Sequence, residues 1–107
     1  MTFEDDLQQL FVGEVQERTA RLVAGAEALA VGSLDEETLR TMIREGHTLK
    51  GTARMMGFAA ISDAGKALED AWRAVFAGEI VADGELASAL ALLAGQMVSG
   101  MRADPAT

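Results

Sequence analysis

Residues 39–57 read LRTMIREGHTLKGTARMMG, and their apolar or small side chains recur at steps of three and four residues. At about 100° per residue on a helical wheel, these positions form one stripe. The stripe consists of Leu39, Met42, Gly46, Leu49, Ala53 and Met56. It predicts an amphipathic helix that packs through this face against the rest of the protein.

His47, the only histidine of the chain, lies outside that stripe, on the polar side of the predicted helix. Four of the nine lysines and arginines surround it on the wheel, namely Arg40, Arg44, Lys50 and Arg54. In a chain of formal net charge -8, this cationic face indicates a site for anionic groups, although a solvated helix face is the plainer interpretation. Gly51, one turn after His47, costs a helix roughly 1 kcal/mol relative to Ala and leaves the imidazole unshielded on that side.

Composition narrows the class of protein. With 107 residues, of which 50% are hydrophobic, the chain has the size and apolar content of a single domain. It contains no cysteine, which excludes disulfides and thiolate metal sites and suits a reducing compartment. No apolar run approaches the roughly 20 residues that span a bilayer, and the acidic start MTFEDD is unlike a secretory signal. We therefore expect a cytoplasmic protein without membrane insertion, and the net negative charge disfavours nucleic acid as a partner.

The chain predicts an all-α fold, because helix formers dominate and strand patterns are nearly absent. The first helix is expected at about 3–30 with Thr2 as its N-cap, and Gly13 allows a bend or break within it. Its apolar stripe is Leu7, Phe11, Val15, Leu22 and Leu29. The second helix is expected to begin after Ser33, which forms a capping box with Glu36, and to end with Gly57 as its C-cap.

Two more helices complete the expected architecture. The third covers about 59–77 and stops at Gly78. The side chains expected to face the core are Ile61, Leu68, Ala71 and Val75. The fourth follows Asp83 as its N-cap, with an inward stripe of Leu86, Leu90, Leu93, Met97 and Met101. Four amphipathic helices with short connections favour an antiparallel up-down-up-down four-helix bundle over residues 1–102, followed by a frayed tail or linker at 103–107. With a single histidine and no Glu-x-x-His pair, we expect no metal and no cofactor in the core.

In such a bundle, residues equidistant from a tight turn lie at the same height on neighbouring helices. The second and third helices turn near residue 58, which puts Glu69 level with His47. If Glu69 accepts a hydrogen bond from the N–H group at Nδ1, Nε2 keeps its lone pair and becomes the nucleophilic nitrogen. Lys50, one turn from His47, would then neutralise the charge of an incoming phosphoryl group. Pairing of Glu69 with Lys66 or Arg73 on its own helix is an equally good interpretation of the sequence.

Residues 47–58, HTLKGTARMMGF, resemble the phosphorylation motif of histidine phosphotransfer (HPt) domains, especially the amino-terminal domain of chemotaxis-type histidine kinases. The Leu-Glu-Asp triplet at 68–70 resembles the acidic position of the same group. The resemblance covers essentially the whole chain, and it implies a phosphorylated His47, an orienting Glu69, a phosphoryl-facing Lys50 and an access-giving Gly51. Two residues depart from the pattern, since Arg54 stands where many members have Gly and Lys66 stands where some have a second His.

The resemblance implies a phosphorelay intermediate of a two-component system. It would accept a phosphoryl group on His47 from the ATP-binding domain of a histidine kinase and pass it to an aspartate of a response-regulator receiver domain. ATP and Mg²⁺ would come with these partners, because no carboxylates cluster around His47 in the sequence. We also expect the chain to be the amino-terminal piece of a longer kinase. The alternative is a helical-bundle adaptor that docks signalling partners without being phosphorylated.

The expected interface with the receiver combines the second helix with the first. With the first turn near residue 32, Glu17 and Arg18 lie level with His47 and form the second half of the contact surface. Arg44 and Arg54 are expected to steer the receiver electrostatically, so that the encounter is transient and weakens at high salt.

Overall fold

The computed structural model describes residues 2–80 and 83–103, and it describes the side chains of these residues except 96–103. The described helices are α1 (Phe3–Ala30), α2 (Glu36–Met56), α3 (Ala59–Phe76) and α4 (Gly84–Ala103). Consecutive helices pack against each other, and α4 closes the ring by packing against α1. Joined by short connections, they form an antiparallel up-down-up-down bundle, which confirms the predicted all-α fold.

A single hydrophobic core joins the helices, and its largest fully buried side chains are Trp72, Leu22, Leu49, Ile61, Leu68 and Val15. The stripe predicted for α1 is confirmed except at Leu7, which is 38% exposed. The prediction fails there because α1 has 28 residues and α2 only 21, so the first turns of α1 extend beyond the end of α2. The side chains of Met97 and Met101, predicted to face inward, lie outside the described residues, as do residues 104–107. Ala103, predicted to begin the tail at 103–107, is the last residue of α4.

Most predicted helix ends are confirmed. Thr2 and Asp83 cap α1 and α4, because a side-chain oxygen of each accepts a backbone N–H of the helix that follows. Gly57 and Gly78 come after α2 and α3 in the left-handed region, with φ angles of 84° and 72° that favour glycine. α1 continues through Gly13 without a break.

The start of α2 corrects the prediction that Ser33 is its N-cap. The backbone N–H of Thr38 donates to Oδ1 of Asp35 at 2.8 Å, so Asp35 is the capping residue. The hydroxyl of Ser33 donates instead to the carbonyl of Ala28 at 3.4 Å and closes the end of α1. Aspartate caps a helix as well as serine does, so both residues are acceptable N-caps, and Leu34 between them packs against the core.

α2 and α3 approach each other closely at two glycines. A Cβ atom on Gly46 would lie 2.8 Å from the backbone nitrogen of Glu69 and 3.0 Å from the carbonyl oxygen of Gly65. A Cβ atom on Gly65 would lie 2.8 Å from the backbone nitrogen of Lys50. The 2.8 Å contacts are shorter than Cβ atoms make with backbone atoms in proteins, so an alanine at either position would force the helices apart. The close approach brings the backbone of α3 against the turn of α2 that carries His47.

Candidate functional site

His47 and Glu69 meet across the seam between α2 and α3. Nδ1 of His47 lies 3.0 Å from Oε2 of Glu69, which confirms the contact expected from their equal distance to the turn. The two side chains differ in exposure, since 61% of the imidazole surface but only 6% of the carboxylate side chain is accessible. An accessible imidazole is therefore hydrogen-bonded through Nδ1 to a buried carboxylate.

Glu69 also binds two cations, so both interpretations left open by the sequence are partly right. The Nζ of Lys50 donates to Oε1 at 3.0 Å. Arg73 donates to Oε2 from Nη2 at 2.8 Å and from Nε at 3.2 Å. Lys66, the other candidate partner, binds Asp70 at 2.7 Å instead. We call His47, Lys50, Glu69 and Arg73 the Glu69 cluster.

The charge of Glu69 determines which nitrogen of His47 carries the proton. Burial alone would raise the pKa of this carboxyl group, but hydrogen bonds from Arg73, Lys50 and His47 outweigh burial and hold its pKa at about 2. An ionised carboxylate only accepts hydrogen bonds. Nδ1 of His47 must therefore be the donor, and in the neutral ring the lone pair is on Nε2.

Lys50 and Gly51 occupy different surroundings from each other. The ammonium group of Lys50 is engaged by Glu69, and 32% of this side chain is exposed. Gly51 lies on the exposed surface of α2, where an added Cβ atom would have no described atom within 4 Å. Gly51 is thus not needed for helix packing, in contrast to Gly46 and Gly65.

Two hollows flank the site along the seam between α2 and α3. The first, of about 540 Å³, contains His47, Arg44 and Arg73 in its wall, together with Arg40, Ile43, Phe76, Ala77 and Glu79. The second, of about 430 Å³, is lined by Lys50, Arg54, Gly57, Ala59, Ser62, Asp63 and Lys66. The predicted docking residues Arg44 and Arg54 therefore lie at separate hollows. In the first hollow, the guanidinium of Arg40 lies over the ring of Phe76, 5.0 Å from its centroid.

A second buried carboxylate was not anticipated from the sequence. Glu45 of α2 accepts a hydrogen bond from Nη1 of Arg18 at 2.8 Å and a weaker one from Arg21 at 3.4 Å, both on α1. Arg18 also binds Glu14 at 2.9 Å. Glu45 follows Met42 by three residues, so the wheel already put it at the edge of the buried stripe. We call Glu14, Arg18, Arg21 and Glu45 the Glu45 cluster.

The Glu45 cluster bears on the expected docking surface of α1. Arg18, expected to contact a receiver, is bound to Glu45 and only 23% of its side chain is exposed. Glu17 is 73% exposed and lies 3.7 Å from Arg21. Of the two predicted α1 residues, Glu17 is therefore the more accessible to a partner.

Neither a metal-binding group nor a membrane-spanning helix is found among the described residues. No group of three or more carboxylate or histidine side chains among the described residues is arranged to hold a metal ion. None of the described helices is both long and apolar enough to cross a membrane. The cationic groups along the seam between α2 and α3 are suited to anions.

Comparison with known proteins gives one match. A family model described as "Hpt domain" matches residues 6–100, which is most of the chain. No curated protein and no solved structure matches the chain. The matched range includes α2, α3, most of α1 and α4, and both carboxylate clusters.

Proposed function

The chain belongs to the Hpt domain family, whose members carry phosphoryl groups on histidine in two-component signalling, and from this premise we propose that His47 is the phosphorylated residue. The phosphoryl group comes from the ATP-binding domain of a histidine kinase. It then passes to an aspartate of a response-regulator receiver domain. The resemblance of residues 47–58 to chemotaxis-type kinases supports a chemotaxis pathway as the context.

One observation carries the proposal: the exposed imidazole of His47 donates from Nδ1 to a buried, ionised Glu69 at 3.0 Å. A surface histidine without a function has no need of a buried carboxylate, which is costly to bury unless it is bound by cations and donors. The contact fixes the ring orientation and leaves Nε2 as the nucleophile.

In each transfer, one bond to phosphorus forms and another breaks. The lone pair of Nε2 attacks the γ-phosphorus of ATP, the Nε2–P bond forms, and the bond to the ADP oxygen breaks. The ring gains positive charge in this step, and the carboxylate of Glu69 beside Nδ1 stabilises it. A carboxylate oxygen of the receiver's aspartate then attacks phosphorus, and the electron pair of the N–P bond returns to Nε2.

The partners supply the remaining chemistry. ATP arrives with the kinase domain, and Mg²⁺ arrives with the nucleotide or the receiver. The cytoplasm is the compartment that provides ATP. The docking surface consists of the exposed side of α2 with the neighbouring part of α1, where Arg44, Arg54 and Glu17 are accessible and Arg18 supports the surface through Glu45.

Incubation with the catalytic domain of a chemotaxis-type kinase and labelled ATP tests the proposal. We expect an acid-labile, alkali-stable phosphoryl group on the wild type and none on His47→Gln. Transfer to a panel of receiver domains then identifies the acceptor. An absence of kinase-dependent labelling would favour an adaptor that only docks signalling partners. Labelling that persists in His47→Gln would mean that another residue is phosphorylated.

A further inference from the structure

A phosphoryl group on His47 needs cations near Nε2, and Lys50 is already occupied. Its ammonium group donates to Oε1 of Glu69 at 3.0 Å and so balances the buried carboxylate on the side away from the imidazole contact. Moving it to a phosphoryl group would leave Glu69 with one bond fewer in a buried position. The phosphoryl group is therefore better served by other cations.

Two arginines meet this need at the first hollow. Arg44 precedes His47 by three residues, so the two side chains emerge on the same face of α2. Arg73 comes from α3, and both arginines line the same hollow as the imidazole. With about 540 Å³, the hollow has room for a phosphoryl group together with the donor or acceptor atoms that approach it.

The hydrogen-bond donors of both arginines are sufficient for this role. Arg73 uses only Nε and Nη2 for Glu69, and its Nη1 makes no hydrogen bond to the described residues. Arg44 likewise forms neither an ion pair nor a side-chain hydrogen bond with any residue that the structure describes. A guanidinium group has five N–H donors, so Arg73 can hold Glu69 and a phosphoryl oxygen at the same time.

We propose that Arg44 and Arg73 form a clamp for the phosphoryl group of phosphorylated His47, and that Lys50 serves to hold Glu69. The clamp rests on the proposed function of His47. Planar guanidinium groups match phosphoryl oxygens better than an ammonium group does. Placed on two helices, they approach the group from both walls of the hollow. Arg73 thereby couples the carboxylate behind the ring to the phosphoryl group in front of it.

Chemical phosphorylation tests the clamp without any kinase. With phosphoramidate, the Nε2–P bond forms as the P–N bond of the reagent breaks and ammonia leaves. The midpoint of the phosphoryl monoanion-to-dianion titration can then be read by ³¹P NMR on the folded protein. Adjacent guanidinium groups favour the dianion, so removing one should move this midpoint to higher pH.

Four variants separate the possibilities. Arg44→Gln and Arg73→Gln should raise the midpoint, whereas Lys66→Gln, the matched loss of charge at the second hollow, should leave it unchanged. Lys50→Gln should change the Nδ1–H signal of His47 more than the midpoint. Both arginine variants should also react with phosphoramidate more slowly, by roughly tenfold, because an exposed donor is worth less than the hundredfold of a buried one.

Arg44→Gln is the decisive variant, because Arg44 does not touch Glu69 and its loss leaves the ring contact intact. Arg73→Lys should restore part of the effect if charge matters as well as geometry. A midpoint that moves in Lys50→Gln but not in the arginine variants would overturn the clamp. An unreactive His47 would overturn it as well, whereas failure with the kinase alone would contradict only the proposed function.

Discussion

Among the described residues, two buried carboxylates lie on opposite sides of α2, and they have different partners. Glu45 faces α1, Glu69 reaches α2 from α3, and their side chains are 9% and 6% exposed. Glu45 is bound by two arginines of α1, Arg18 and Arg21. Glu69 is bound by Lys50 of α2 and by Arg73 of its own helix. Only Glu69 also binds an imidazole, and that imidazole is 61% exposed.

The comparison shows that a buried charge network does not by itself identify a functional site. Both clusters satisfy the same physical requirement, since a buried carboxylate must be bound by cations or donors. What distinguishes the Glu69 cluster is that one of its bonds goes to an accessible imidazole beside a cationic hollow. We therefore expect changes in the Glu45 cluster to affect stability and partner docking but not the reactivity of His47, and changes in the Glu69 cluster to affect that reactivity as well.

Replacing the nucleophile should give the largest effect. His47→Gln should abolish phosphorylation by both kinase and phosphoramidate, because Nε2 is lost. The fold should remain intact, because the ring is largely exposed and lies outside the core. Circular dichroism and labelling on the same sample provide the measurement. A variant that still accepts a phosphoryl group would show that the reactive atom lies elsewhere.

The paired carboxylate variants test the comparison directly. Glu69→Ala should slow phosphorylation of His47 by roughly tenfold or more, because the ring loses its orienting acceptor. Glu45→Ala should leave the rate with phosphoramidate unchanged, although each variant loses about 1–3 kcal/mol of stability through unpaired donors. Equal rates in the two variants would mean that Glu69 is only structural. Initial labelling rates with urea unfolding of each variant decide between these outcomes.

Acid should weaken the Glu69 cluster in a defined pH range. The folded-state pKa of Glu69 is lowered from 4.5 to about 2, so its contribution to stability is full above the unfolded-state value and is lost as pH falls toward 2. The stability difference between the wild type and Glu69→Gln should therefore shrink by about 3 kcal/mol across this range. Urea unfolding followed by the fluorescence of Trp72, the only tryptophan and fully buried, measures it. A difference that stays constant with pH would contradict the ionised, paired carboxylate.

Much of the fold was predictable because the sequence specifies it locally. The 3.6-residue periodicity, Gly57 and Gly78 as helix ends, and short connections give four antiparallel helices without tertiary information. The contact between His47 and Glu69 followed from the turn, since equal distances from a tight turn give equal heights. These inferences need only the chain's own geometry.

The missed features depend on which helices touch. The requirement for glycine at Gly65 comes from the backbone of α2, which no local pattern in α3 reveals. The ion pair of Arg18 with Glu45 joins residues 27 positions apart on different helices. Ser33 and Asp35 are both good capping residues, and only their contacts in the folded chain show that Asp35 caps α2 while Ser33 closes α1. In each case tertiary packing selects among locally acceptable options.

Gly65→Ala, at the seam between α2 and α3, should have a smaller effect on phosphorylation and should disturb the Glu69 cluster but not the Glu45 cluster. In Gly65→Ala, the new Cβ atom would lie 2.8 Å from the backbone nitrogen of Lys50, so α3 must move away from α2. We expect a loss of about 1–3 kcal/mol and slower phosphorylation, because Glu69 moves with α3. The Glu45 cluster lies on the other side of α2 and should be unaffected. NMR shifts of Arg18 and His47 side chains report the two clusters separately, and equal perturbation of both would contradict this separation.

Gly51→Ala should produce the smallest effect, and of opposite sign for stability. An added Cβ atom meets no described atom within 4 Å, and alanine favours a helix by up to about 1 kcal/mol over glycine. Stability should therefore rise slightly in urea unfolding, and the rate with phosphoramidate should not change, because neither carboxylate cluster is touched. If Gly51 serves the approach of a protein partner, phosphorylation by the kinase should nevertheless slow. A lower rate with phosphoramidate as well would mean that the methyl group disturbs His47 itself. An unchanged rate with both the kinase and phosphoramidate would mean that access to the imidazole does not depend on Gly51.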